Sequence, residues 1–93
     1  MKVIFIYDIE LKDKKAQRRL SKVKKIARKY LTHIQKSVFE GELTEAQVLK
    51  MENEILKVID KDKDSIIFYL IPDGVRINRK LLSNLPDKNK NIL

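Results

Sequence analysis

Apolar side chains along this chain follow two different rhythms, and the rhythms separate strands from helices. Val3, Ile4, Phe5, Ile6 and Tyr7 form an unbroken run, the pattern of a central strand covered on both faces. Ser65 to Ile71, SIIFYLI, is nearly as continuous and reads as the natural neighbour of the first strand. Between them, two segments switch to the three-and-four spacing of a helix with one buried face. In the first, Lys14 to Tyr30, the face is Ala16, Leu20, Val23, Ala27 and Tyr30, flanked by Ile26 and Leu31, with Asp13 placed as N-cap. The second opens at Thr44 with Gln47 three residues on, a capping box, and buries Val48, Met51, Ile55, Val58 and Ile59, helped by Leu49 and Leu56. Met51 reads as core rather than as a ligand.

The remaining pieces are strands and turns. Thr32 to Leu43, THIQKSVFEGEL, is rich in β-branched and aromatic residues, but its alternation breaks where Lys36 shares a parity with Ile34 and Val38. A turn or bulge near Lys36 and Ser37 resolves this into two short strands, and Gly41 marks a bend or a close backbone approach. Pro72, Asp73 and Gly74 form a turn, after which Val75 to Leu81 alternates as a half-exposed edge strand. The order is βαββαβ with an additional C-terminal strand. It predicts an α+β ferredoxin-like sandwich, with both helices on one face of an antiparallel sheet. We expect one domain over residues 1–82 and a polar tail over 83–93, where Pro86 breaks the pattern.

With 93 residues the chain supports one core and leaves much surface wet, a condition that self-association would relieve. Hydrophobic residues make up 43% and charged ones 37%, enough to fold and too much charge for a membrane. The apolar run after Lys2 is shorter than a signal-peptide core. Cysteine is absent, so disulfide and thiolate-metal chemistry drop out and a cytoplasmic setting is expected. Lys and Arg number 21 against 13 Asp and Glu, a net charge of +8 that points to a polyanionic partner. The distribution sharpens this. Lys14, Lys15, Arg18, Arg19, Lys22, Lys24, Lys25, Arg28 and Lys29 crowd the first helix, and no acid occurs from Lys14 to Phe39. A helix built only for solubility interleaves its signs, because like charges repel. This one accepts repulsion, as a nucleic-acid backbone footprint does. The second helix mixes Glu45, Glu52 and Glu54 with Lys50 and Lys57, an ordinary solvated back. The loop Asp60 to Asp64, DKDKD, lacks the glycine and distal glutamate of a calcium-binding hand.

Chemistry concentrates at Asp8, where the first apolar run stops. A carboxylate at the end of a buried strand needs a helix to cap, a cation or a metal. Two readings follow: a cap for the next helix, or a metal or phosphate site at the strand mouth.

The strand ending in YDI, the QRRL of the first helix, the segment IQKSVFEGEL and the later DSIIFYL lie in one order. Together they resemble the small CRISPR-associated metal-dependent endonuclease family, the smaller of the two universal spacer-acquisition proteins. The likeness runs from Met1 to about Leu82, and Gln35 to Leu43 combined with Tyr7 and Asp8 is its most specific piece. It implies a homodimer in which Asp8 of each subunit faces its mate and the pair holds one magnesium ion, with manganese as the alternative. Such close carboxylates repel until a metal neutralises both, so metal binding should strengthen as pH rises. The ion would supply Lewis acidity for phosphodiester hydrolysis. Arg18 and Arg19, with Lys15 and Lys22, would neutralise the nucleic-acid backbone, and Tyr7, Ser37, Phe39 and His33 would shape the site. His33 stands where many relatives carry arginine, and a neutral imidazole is the weaker phosphate clamp. With no acid to orient it, a general-base role for His33 is the lesser reading.

The resemblance supports two function classes: an endonuclease acting on RNA or double-stranded DNA, and a non-catalytic dimeric scaffold joining copies of the larger CRISPR integrase subunit on a duplex. A third reading, a ferredoxin-like module for single-stranded RNA, lacks stacking aromatics, because Phe5 and Phe68 lie within apolar runs. No membrane partner is expected.

Overall fold

The computed structural model describes residues 1–84 and contains β1 (Lys2–Asp8), α1 (Lys14–Tyr30), β2 (Thr32–Gln35), β3 (Val38–Glu42), α2 (Glu45–Leu56) and β4 (Ser65–Ile71). The strands form one antiparallel sheet in the order β2-β3-β1-β4, which puts β1 at its centre. Of the tail expected over 83–93, residues 85–93 lie outside the described residues.

Each helix begins where its sequence signal says. The Asp13 carboxylate accepts from the Ala16 amide at 2.8 Å, closing one free donor of α1. At α2 the Gln47 amide donates to Thr44 Oγ1 at 3.1 Å while the Thr44 amide donates to Gln47 Oε1 at 2.9 Å, the complete capping box. Val23 and Ala27 of α1 and Val48, Met51 and Ile55 of α2 pack with Val3, Phe5 and Tyr7 of β1 and Phe39 of β3 in one core. Phe5 is its hub, with ring centroids 5.0 Å from Phe68 and 6.2 Å from Phe39 in edge-to-face geometry. Gly41 is the expected close approach, since a Cβ there would stand 2.9 Å from a Leu31 methyl at the end of α1. The two helices are also tied by Glu54, whose carboxylate takes both the Lys29 ammonium and the Tyr30 hydroxyl.

Two expectations are corrected. The first strand is not covered on both faces within one chain: Val3, Phe5 and Tyr7 are buried, whereas Ile4 and Ile6 are half-buried and Asp8 is exposed. Both helices lie on the Phe5 side, so the other face is open. Register builds that open face from Ile4 opposite Glu40 and Tyr69, Ile6 opposite Val38 and Ile67, and Asp8 opposite Ser65. Secondly, Val75 to Leu81 does not join the sheet as a strand. After the Pro72–Gly74 turn, where Gly74 takes a positive φ of 86°, the chain carries Arg79 to an ion pair with Glu40 of β3. Because β1 separates β3 from β4, the segment reaches across the sheet instead of extending the β4 edge. That ion pair makes Glu40, only 1% exposed, tolerable beside Ile4 on the open face.

Candidate metal and nucleic-acid site

Asp8 is the last residue of the central strand, on the open face. It does not cap α1, a task Asp13 performs. Among the described residues no hydrogen bond or ion pair reaches its carboxylate. The capping reading therefore falls away and an exposed, available anion remains. Among the described residues there is no group of three or more His, Cys, Asp or Glu side chains able to hold a metal. One chain thus offers one carboxylate to a hard divalent cation, which is an incomplete set unless a second copy adds its own.

Of the residues expected to shape the site, Tyr7 and Phe39 point to the helical side of the sheet, opposite the face that carries Asp8, and Ser37 lies in the turn after β2. Tyr7, 5% exposed, sends its hydroxyl to the Lys36 carbonyl at 2.8 Å, and its amide donates to the Ser37 carbonyl at 3.2 Å. Burial pushes the Tyr7 hydroxyl up, against the pull of the Arg28 charge, so it remains a donor at neutral pH. Phe39 is fully buried and acts through packing. His33 stacks on Phe39 with ring centroids 4.3 Å apart and planes 8° from parallel, and its Nε2 lies 3.2 Å from the Lys36 carbonyl. A carbonyl only accepts, so Nε2 carries the proton in this contact and is not a free base.

The cations of the basic helix fall into two groups. Lys15, Arg18 and Lys22 are exposed, as are Lys14, Lys25 and Arg28. Arg19 is engaged elsewhere: its Nε and Nη2 donate to the two carboxylate oxygens of Asp64 at 2.8 and 3.2 Å. The Asp64 side chain is completely buried and that of Arg19 half-buried, at 17% exposure. Burial pushes the Asp64 carboxyl up, but the Arg19 hydrogen bonds and the Asp60 amide outweigh it and hold the group below its ordinary value. The DKDKD loop is accordingly closed on itself, with the Asp60 amide donating to Asp64 at 2.9 Å and the Asp62 amide to Asp60 at 3.0 Å. Adjacent arginines in the sequence thus have separate tasks: Arg18 faces solvent and Arg19 locks α1 to the loop before β4. Alternating acids and bases in that loop were the only sequence signal of such a lock. The position of Lys36 next to the site was also missed, for it sits in a turn with no composition cue.

A family model described as CRISPR associated protein Cas2 matches residues 1–85. The chain is similar to a Moorella thermoacetica protein named CRISPR-associated endoribonuclease Cas2 2, 46% identical over 91 residues, covering 98% of this chain and 100% of that one. It is also similar to the CRISPR-associated endoribonuclease Cas2 of Dictyoglomus turgidum, at 41% identity over 93 residues and the whole of both chains. Among solved structures, Streptococcus pyogenes Cas2 aligns with a TM-score of 0.72 and 32% identity, covering 80% of this chain and 89% of that one.

Proposed function

The chain belongs to the CRISPR-associated Cas2 family, and from that premise we propose that it is a magnesium-dependent endonuclease of CRISPR adaptation, working as a homodimer on RNA or duplex DNA. The observation that carries this reading is the exposed, unpartnered Asp8 carboxylate at the end of the central strand, a position no structural duty explains. The names of the Moorella and Dictyoglomus relatives, both endoribonucleases, support the activity. Ile4, Ile6, Ile67 and Tyr69 give the open face an apolar surface of the kind a second copy covers. A copy seated there would bring a second Asp8 to the first. Two carboxylates with water and phosphate oxygens suit magnesium, and manganese as well. A bound ion would act as a Lewis acid toward the phosphoryl oxygen.

The chain's own residues do the rest. Lys15 and Arg18 lie in the first turns of α1, which starts at the same end of the sheet at which β1 stops, and they hold the phosphate backbone there. Lys22 continues that track. Tyr7 and Phe39 keep the strand end rigid, and His33 and Ser37 fix the neighbouring turn.

A second reading is favoured by one observation. The cations of α1 stand on the helical layer while Asp8 stands on the open sheet face, so a duplex can be held without being cut. On that reading the dimer is a scaffold presenting DNA to the larger CRISPR integrase subunit. Cleavage of labelled single-stranded RNA and duplex DNA by the wild type and Asp8→Asn, with magnesium, manganese or chelator, separates the two. Metal-dependent cutting that disappears in the variant supports the nuclease. Equal residual cutting by both proteins overturns it and leaves the scaffold.

A further inference from the structure

The hairpin between β2 and β3 closes with two residues, Lys36 and Ser37, between the paired Gln35 and Val38. Two-residue hairpins favour primed turns, which need a positive φ in the loop. Here no non-glycine residue among those described has one, and the ladder is further disturbed by a register shift between His33 and Gln35. The turn therefore lacks the backbone preference that ordinarily fixes such a loop. Three hydrogen bonds from outside fix it instead. The Tyr7 amide donates to the Ser37 carbonyl, and the Tyr7 hydroxyl and His33 Nε2 converge on the Lys36 carbonyl at 2.8 and 3.2 Å. Both supporting side chains are rooted in the core, Tyr7 by its own burial and His33 by its stack on the fully buried Phe39.

What this arrangement holds is Lys36. Ile6 pairs with Val38, and the Tyr7 amide bond to Ser37 extends the ladder by one step, so the backbone register brings position 36 opposite Asp8. Position 36 thus stands in the turn at the same end of the sheet at which Asp8 is exposed. Lys36 is exposed, and among the described residues no acid pairs with it. Arg19 of the first helix is not available in this way, since Asp64 occupies it.

We infer that Lys36 is a phosphate-binding cation of the Asp8 site, and that His33 and Tyr7 are positioning residues that hold it beside the scissile backbone. The inference rests on the reading of Asp8 as a phosphodiester site and adds the residue that engages the substrate's charge at that end of the sheet. It also gives His33 a task that needs only a ring to stack and one N–H to donate.

The test is the salt dependence of binding to labelled duplex DNA and single-stranded RNA, measured in chelator so that cutting plays no part. Lys36→Ala should lower the log–log slope on duplex DNA by about 0.9, the share of one phosphate contact. Lys36→Arg should retain it. In the His33→Ala background, removing Lys36 should lower the slope by clearly less, because the turn is already released, whereas His33→Gln, which keeps an N–H donor, should behave closer to wild type. Thermal melts establish that each variant is folded. An unchanged slope in Lys36→Ala overturns the cation role. Fully additive effects of His33 and Lys36 overturn the positioning role. A wild type that binds with this pattern yet cuts nothing refutes the nuclease reading alone.

Discussion

Replacing Arg18 and Arg19 one at a time separates two neighbours that charge counting treats as equals. Arg18 is exposed on α1, while Arg19 is bound through two hydrogen bonds to a carboxylate with no exposed surface. On duplex DNA each lost phosphate contact reduces the slope of log affinity against log salt by about 0.9. Across a roughly fourfold rise in salt, that slope corresponds to about a three- to fourfold change in affinity per contact. Arg18→Ala should show this loss with its melting temperature nearly unchanged. Arg19→Ala should leave the slope intact and lower the melting temperature, because Asp64 is then buried without its cation. The effect has a pH signature. Asp64 titrates below its ordinary value when folded, so its contribution is fully present above the unfolded carboxylate value and fades as pH falls through the folded one. Wild type should therefore lose stability in that acid window, and Arg19→Ala should have much less of this contribution to lose. Fluorescence anisotropy over a salt series and melts over the acid range give both quantities. If Arg19→Ala flattens the salt slope as much as Arg18→Ala while its melting temperature stays put, the lock is refuted.

Two further outcomes follow from the fold. Phe5→Ala removes the fully buried hub of the aromatic cluster and should cost about 3–5 kcal/mol in urea denaturation, with the lower end expected if Phe68 can collapse into the space. Ile67→Asp puts a charge on the open face opposite Ile6, so sedimentation should report a shift from dimer to monomer with the circular dichroism spectrum retained.

Much of the fold was legible because local signals agreed with one another. Asp13, and Thr44 with Gln47, mark the helix starts by satisfying free amides, and the three-and-four spacing of Val23 and Ala27 or Met51 and Ile55 names the buried faces. The break at Lys36 and Ser37 was visible in the parity of Ile34, Val38 and Phe39. The covering of β1 was not. An unbroken apolar run reports that both faces avoid water without saying whether the second cover comes from the same chain, and here one chain supplies only one layer. Val75 to Leu81 alternates like a strand, yet alternation is equally consistent with a segment that spans the sheet to bring Arg79 to Glu40. At the site, Asp8 stood out because it ends an apolar run. The commitment of Arg19 depended on Asp64, 45 residues away, and could not be read from the helix. The stack of His33 on Phe39 likewise arises from pairing across β2 and β3, which brings together residues that the sequence separates by a turn.

The central claim, that two copies of Asp8 share one divalent ion across the open face, is tested most directly by titrating manganese into the purified protein and reading bound metal by electron paramagnetic resonance. The account predicts one ion per two chains, tighter binding as pH rises, and loss of the site in Asp8→Asn. One ion per chain, or binding unaltered by Asp8→Asn, would contradict it.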